Sequence, residues 1–417
     1  MGGGRSRRGT FDALKIRNYR LYMTGQLVSV SGTWMQTVGL SWLVLKITGS
    51  GVELGVVTAA QFLPMLVLGV VGGLVADRVN KRKLILATQT SLALASLLLG
   101  ILTVTGTVVM WMVYAISIWI GMTNAIDNPA RQSFVGEMVD KGTVANAVSL
   151  NAVVMNSARI VGPAIAGIVI YILGTGSLFL ANSASFLAVI IALLLMRPAE
   201  LFQSERAPRA RGQLKEGIEY VWRMPTLKVP VLILFLVGTL AFEFQVSLPL
   251  FASATFHQGA GTYAAFMSFM GVGAVVGGLI SATFPQTTIS RLAFTSLGFG
   301  LLIILVSVMP NSISAAAAVI PMGTLSMVFV SIANSALQLN SEPSKRGRVL
   351  SLFTVAYQGS TPIGAPIVGY IGQQLGARYA IAVGGLAALI AGVYGLASRA
   401  ARDERVATTG AVQLSEP

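Results

Sequence analysis

The sequence has no cysteine, a single histidine (His257) and few acids, with 15 Asp and Glu set against 29 Lys and Arg in 417 residues. Lack of cysteine excludes disulfides, thiol nucleophiles and thiolate metal sites, and one histidine excludes paired-histidine metal motifs. No glycine-rich phosphate loop ending in a lysine occurs, which argues against direct ATP use. No cluster resembles a catalytic constellation, so the chain does not read as an enzyme, and no cofactor or metal is expected. Charged residues make up only 11 %, against roughly 25 % in soluble domains.

Apolar residues take up the space. They make up 54 % of the chain, and the mean hydropathy is +0.75. A soluble fold of this length could not bury so much apolar surface, whereas one that faces lipid need not. A membrane-crossing helix consumes about 20 residues, and apolar runs fall at 21–45, 54–76, 84–105, 108–126, 145–171, 177–196, 229–252, 262–284, 291–309, 313–336, 350–372 and 378–398. The reading is an all-α integral membrane protein of twelve spans. The basic segment 1–20 is expected to be a cytoplasmic tail and the run after it a retained first span, since it is too long for a signal-peptide core. The break at 197–228 is the long one, and it divides the chain into six-helix halves, 21–196 and 229–398, with 399–417 as a second cytoplasmic tail.

The net charge of +14 would suggest nucleic acid in a soluble protein. Here it sits between apolar runs, so it reports orientation instead, and no nucleic-acid partner is expected. With the N-terminus in the cytoplasm, 26 of the 29 Lys and Arg lie on that side. Both termini are then cytoplasmic in a multi-pass protein of the cell membrane.

The halves repeat. Val70-Val71-Gly72-Gly73-Leu74 in the second run matches Val275-Val276-Gly277-Gly278-Leu279 in the eighth. Gly162-Pro163-Ala164-Ile165-Ala166-Gly167 in the fifth matches Gly364-Ala365-Pro366-Ile367-Val368-Gly369 in the eleventh. Parallel repeats of this kind suit a carrier with its site at the interface of the halves.

The stretch Gly73-Leu74-Val75-Ala76-Asp77-Arg78-Val79-Asn80-Lys81-Arg82-Lys83 resembles the signature loop between helices two and three of the major facilitator superfamily, with Asn80 where a second glycine is usual. Asp127-Asn128-Pro129-Ala130-Arg131-Gln132, Arg159-Ile160-Val161-Gly162-Pro163 and Arg346-Gly347-Arg348-Val349 resemble its branch of enterobactin-exporter-like and multidrug exporters. The resemblance implies the major facilitator fold, two pseudo-symmetric six-helix bundles, alternating access and often proton-coupled export. Many members of the branch carry an acid in helix one where this chain has Thr33, so any proton carrier here must lie elsewhere.

The charged candidates follow. Asp77 and Arg78, with Asp127, Arg131, Arg346 and Arg348, are expected to form a cytoplasmic gate; for Asp77 and Arg78 the alternative is a solvated acid among orienting basic residues. Asp127 and Arg131 are spaced i, i+4, but Pro129 between them makes a continuous helix doubtful, and the alternative is a local cap. Arg159 lies mid-span, roughly 21 Å deep, where a charge costs at least about 2.5 kcal/mol and needs a partner or water. Glu243 is the only acid deep in a span, at a matching depth. Glu243 and Arg159 are therefore the candidates for proton coupling, or else a structural ion pair.

Trp34, Gln36, Phe242, Gln245, Phe266 and Met270 are candidates for an adaptable apolar substrate cavity. Helix packing or lipid contact would explain them as well. The expected function is secondary active export of an apolar or amphipathic small molecule by proton antiport, performed by a monomer in the lipid bilayer. An uptake permease, a lipid transporter or a non-transporting receptor or scaffold are the alternatives.

Overall fold

The computed structural model describes residues 11–202, 213–283, 288–342 and 345–413. The side chains of 70, 71, 74, 77, 213–215 and 399–413 fall outside the described part. Among the described residues every regular element is a helix: α1 (Arg17–Thr48), α2 (Gly51–Arg78), α3 (Lys81–Val104), α4 (Met110–Glu137), α5 (Val144–Leu173), α6 (Thr175–Leu195), α7 (Gln213–Arg223), α8 (Pro225–Leu240), α9 (Phe244–Leu250), α10 (Ala260–Ser281), α11 (Ile289–Ser307), α12 (Ser312–Leu339), α13 (Arg346–Tyr357), α14 (Thr361–Gln374) and α15 (Ala377–Gln413), with short 3-10 turns at Asp12–Lys15 and Pro198–Glu200. A lipid-embedded backbone must satisfy its own N–H and C=O groups, and uninterrupted helices do so locally.

Nine segments among the described residues are long and apolar enough to cross a membrane. α1, α4 and the α13–α14 pair are not in that set. Each nevertheless covers an apolar run seen in the sequence.

Three spans differ from the sequence expectation. α4 runs on to Glu137 straight through Pro129. The carbonyl that this proline leaves without its N–H partner is that of Ala125, and Gly72 of α2 packs directly against the same carbonyl. The seventh run is not one helix: α8 stops at Leu240, the chain leaves the helix at 241–243, and α9 restarts with Glu243 as its N-cap residue. The Glu243 carbonyl accepts from Val246 N (3.0 Å) and Ser247 N (2.9 Å), and a π-helical turn, Phe251–Thr255, closes the segment. The eleventh run breaks at 358–360, between α13 and α14. Pro362 accounts for that break, because it has no N–H for the Gln358 carbonyl and its ring crowds it.

The chain forms two compact units, one of Met1–Leu43 with Pro64–Pro208 and one of Val44–Leu63 with Arg209–Pro417. Their internal packing follows the repeat. In the first unit Gly72 of α2 meets α4 at Ala125, Gly100 of α3 meets α6 at Leu180, and Gly162 of α5 meets α1 at Ser31 and Trp34. In the second, Gly277 of α10 meets α12 at Thr324, Gly300 of α11 meets α15 at Gly385 and Leu389, and Gly364 of α14 meets α8 at Thr239. Lipid supplies no hydrophobic drive between helices, so close approach at small residues is what holds them. Within the second unit, the hairpin 44–63 rests on α14: Gly51 lies against Gly369 and Gly55 against Ala365, and Ser50 Oγ donates to Gln373 Oε1 (2.7 Å).

One end of the first unit, near the start of α1 and the end of α4, is a buried cluster of Tyr19, Tyr22, Phe134, Val135, Met138 and Leu193. Tyr19 donates from its hydroxyl to the Ala147 carbonyl (2.7 Å), and Tyr22 meets Phe134 edge-on at 5.6 Å.

Candidate functional site

Two settings in the first unit carry charge. At the end where α3 begins and α4 closes, Asp127 of α4 is fully buried. Its carboxylate accepts from Thr88 Oγ1 (2.5 Å) and from Gln89 Nε2 (3.1 Å to each oxygen), both on α3. Because α4 is continuous, Arg131 lies one turn away and pairs with it at 3.4 Å. The doubt raised by Pro129 is thus resolved in favour of the i, i+4 pair. Nearby, Lys81 at the start of α3 is bonded to Glu137 at the end of α4, and Arg82 Nε donates to the Leu193 carbonyl at the end of α6 (2.7 Å). Asn80 caps α3, accepting from Lys83 N at 3.1 Å, which accounts for an asparagine where a glycine is usual. The basic loop therefore ties three helix ends together. Arg78 is exposed, and the side chain of Asp77 lies outside the described residues.

The second setting is mid-helix. The guanidinium of Arg159 on α5 lies over the indole of Trp34 on α1, 5.2 Å from the ring centroid. Its Nε is buried with no hydrogen-bond partner. Gly162, one turn on, is the residue that lets the two helices approach: a Cβ there would stand 2.5 Å from both the Ser31 carbonyl oxygen and Trp34 Cβ. Gln36, another cavity candidate, is built into the packing of the unit. Its Oε1 accepts from Ser96 Oγ on α3 (2.6 Å) and Asn182 Nδ2 on α6 (2.7 Å).

In the second unit the two interrupted helices meet at Glu243. The residue is buried, 3 % exposed. The side chain of Thr361, first residue of α14, lies beside the carboxyl group, while Oε1 is buried with no hydrogen-bond partner. Oε1 fits there because Gly364 has no side chain: a Cβ at that position would lie 3.0 Å away. Gly238, on the last turn of α8, lies against the carbonyls of Ala356 and Tyr357 at the end of α13. The two breaks are therefore packed on one another, and the acid sits where they cross. Irregular backbone at membrane depth persists only where protein or a water-filled cavity surrounds it, and such broken helices commonly mark ion and substrate sites in transporters.

An aromatic cluster lies beside the acid. Phe242 has left the helix and its ring is 5.0 Å from Tyr357, 5.3 Å from Phe299, 5.9 Å from Phe244 and 6.3 Å from Phe329. Gln245 is half-buried on α9. Phe266 and Met270 lie elsewhere, in the packing of α10 on α12. Phe266 joins Phe251 and Phe256 at 6.1 and 6.3 Å and borders a largely apolar groove with Phe269 and Ile313.

At the start of α13 in the second unit, Arg348 is bonded to Glu216, and Arg346 Nε donates to the Gln338 carbonyl at the end of α12 (3.1 Å). Glu216 belongs to α7, a helix within the stretch read as a loop. Tyr220 on α7 donates no bond inward but receives one at its hydroxyl from Glu342 N (3.2 Å), and Lys345 Nζ sits 4.4 Å over its ring. The arginines of the Arg346-Gly347-Arg348 motif thus hold helix ends together, as Arg82 does in the first unit. Sequence reasoning missed Thr361 and α7. Pro362 was the available signal for the first, and the apolar spacing Leu214, Ile218, Val221, Trp222 for the second.

Comparison with known proteins gives this arrangement a lineage. The sequence profile of the family described as "Transmembrane secretion effector" matches residues 8–417. The chain is similar to the staphyloferrin A transporter of Staphylococcus aureus, 27 % identical over 63 % of this chain and 66 % of that one. It is also similar to the multidrug efflux pump Tap of Mycolicibacterium fortuitum, 26 % identical over 50 % of this chain and 53 % of the relative; for Tap of Mycobacterium tuberculosis the figures are 24 % over 85 % and 87 %. The match thus spans about half to two thirds of the length of the first two relatives. Among solved structures, a bacterial homologue of the human lysosomal transporter Spinster superposes with a TM-score of 0.73 at 13 % identity, covering 92 % of this chain and 96 % of the other. A POT family transporter in complex with 5-aminolevulinic acid superposes with a TM-score of 0.75 at 11 % identity, over 91 % and 96 %. These two likenesses establish the fold. A multi-pass membrane protein, the chain belongs to the transmembrane secretion effector family of the major facilitator superfamily.

Proposed function

We propose that the protein is a secondary active exporter of an amphipathic small molecule, driven by proton influx, with Glu243 as the proton carrier. Alternating access through twelve spans, with both termini in the cytoplasm, completes the reading. The observation that carries it is Glu243 itself: a buried acid whose Oε1 has no hydrogen-bond partner, placed where two interrupted helices cross. A permanently ionised structural acid would be expected to have both oxygens satisfied, as Asp127 does. A carboxyl group that must gain and lose a proton is better served by one free oxygen. Export is supported by a relative named as a multidrug efflux pump.

The test is flux in proteoliposomes with and without an imposed pH gradient. Glu243→Gln is expected to abolish gradient-driven accumulation while exchange down a substrate gradient survives. A folded Glu243→Gln variant that still pumps uphill would remove the assignment. In the same assay Asp77→Asn is expected to slow turnover with binding kept, as a gate residue would, and unchanged transport would make that loop purely structural. Cysteine introduced at Arg209 in this cysteine-free chain should react only from the cytoplasmic side.

A further inference from the structure

We propose that Arg159 and Trp34 form an anion-binding site, so that the transported molecule is an amphipathic organic carboxylate rather than an organic cation. The inference rests on the transporter reading above and names the substrate class for it.

The argument begins with charge. Arg159 stands at the midpoint of α5 and Trp34 at the midpoint of α1, so the guanidinium lies near the centre of the bilayer. A charge there faces protein or a water-filled cavity, not lipid tails. Within the first unit no described acid pairs with it. Every acid of the first unit with a described side chain is engaged elsewhere: Asp12 with Lys15, Asp127 with Thr88, Gln89 and Arg131, Glu137 with Lys81, Asp140 with Gly142 and Thr143, and Glu200 with Arg197. Arg159 makes no ion pair among the described residues, and its buried Nε has no acceptor.

Its neighbour explains what the side chain is prepared for. The indole face lies within cation–π range of the guanidinium but accepts no N–H hydrogen bond in the carboxylate manner, so the guanidinium's donors remain suited to meeting a carboxylate in two parallel bonds. Gly162 fixes the approach of α1 that makes the contact possible. Trp34 and Arg159 are each only half-buried, so part of the pair remains accessible although Nε itself is buried.

The repeat supplies an independent observation. Arg159 precedes Gly162 by three residues and Thr361 precedes Gly364 by three. Gly162 packs on α1 beside Trp34, and Gly364 packs on α8 beside Glu243. The two units therefore hold equivalent places on equivalent helices. One is furnished with an acid and a hydroxyl, the other with a cation and an aromatic ring. An acid site suits a proton, and a cation site at the matching position suits an anion.

The test is binding to the full-length protein in detergent, with no gradient, using three probes of one shape: naphthoate, its methyl ester and naphthylmethylammonium. Wild type should bind naphthoate at least about ten-fold tighter than either of the others, since hydrogen bonds to a charged group are strong. Arg159→Gln should remove that preference and leave ester binding unchanged, and Arg159→Lys should keep part of it. Equal binding of the three probes, binding of none, a preference for the ammonium, or loss of ester and carboxylate binding together in Arg159→Gln would each overturn the proposal. The measurement needs no proton coupling, so it stands or falls apart from the Glu243 flux assay.

Discussion

The first unit keeps its helices whole and the second breaks two of them, although both derive from one repeated pattern. Pro129 and Pro163 sit inside α4 and α5 without interrupting them, whereas Pro362 stands at a break and Phe242 leaves its helix altogether. The deep charges divide the same way. Asp127 is closed in by Thr88, Gln89 and Arg131, while Glu243 keeps one oxygen free. The difference teaches where proline acts on a membrane helix. It is tolerated where a neighbouring helix covers the freed carbonyl, as Gly72 covers that of Ala125. It opens the backbone where the chain has a reason to turn, as at the crossing of α8 and α14.

The largest expected effect comes from closing that crossing. At Gly364 an added Cβ would fall on the Thr239 carbonyl oxygen, a backbone atom that cannot swing aside, and within 3.0 Å of Glu243 Oε1. Gly364→Ala should therefore abolish transport and greatly lower the yield of folded protein on size exclusion. Gly162→Ala, its counterpart, meets Ser31 and Trp34 at 2.5 Å and should be milder. Equal effects at the two sites would mean that the units are packed alike and that the breaks contribute nothing special.

Next in size is the saturated acid. Asp127→Ala leaves Arg131, whose side chain is only 14 % exposed, without its carboxylate. Removing one partner of a buried pair typically costs about 3–5 kcal/mol, and Thr88 and Gln89 lose their acceptor as well. Thermal unfolding in detergent should show a clear fall. Glu243→Gln, with no cation to strand in the described structure, should unfold close to wild type while losing uphill transport. A large loss of stability in Glu243→Gln would instead mark it as structural.

These contrasts also show how much the sequence displayed. Membrane class, the major helices, the repeat and the depth of Arg159 and Glu243 follow from hydropathy and spacing, because lipid forces each span to be apolar and long. The breaks do not follow, since periodicity cannot tell a helix from two collinear halves. Thr361 became visible only once Pro362 was seen to end one helix and begin another. Gln36 carried no mark of being committed to Ser96 and Asn182, because a polar residue in a span looks the same whether it faces a cavity or a neighbour. α7 was hidden inside a stretch whose basic residues drew the reading towards a loop.

The smallest expected effect is at the capped starts of α3 and α11, which are built alike in the two units. Asn80 caps α3 through Lys83 N at 3.1 Å, and Thr288 caps α11 through Arg291 N at 3.3 Å. Both positions lie three residues before a basic residue, in equivalent helices of the repeat. Asn80→Gly restores the residue usual in the resembling loop and, for an N-cap, should cost only a few tenths of a kcal/mol, whereas Asn80→Ala and Thr288→Ala should each cost about 1 kcal/mol. The measurement is thermal unfolding of the four proteins side by side. If Asn80 is only a cap, the two alanine variants will match and the glycine variant will lie close to wild type with normal turnover. If Asn80→Gly slows turnover without changing stability, the asparagine has a part in the movement of the loop that its counterpart Thr288 lacks, and the two units differ there as well.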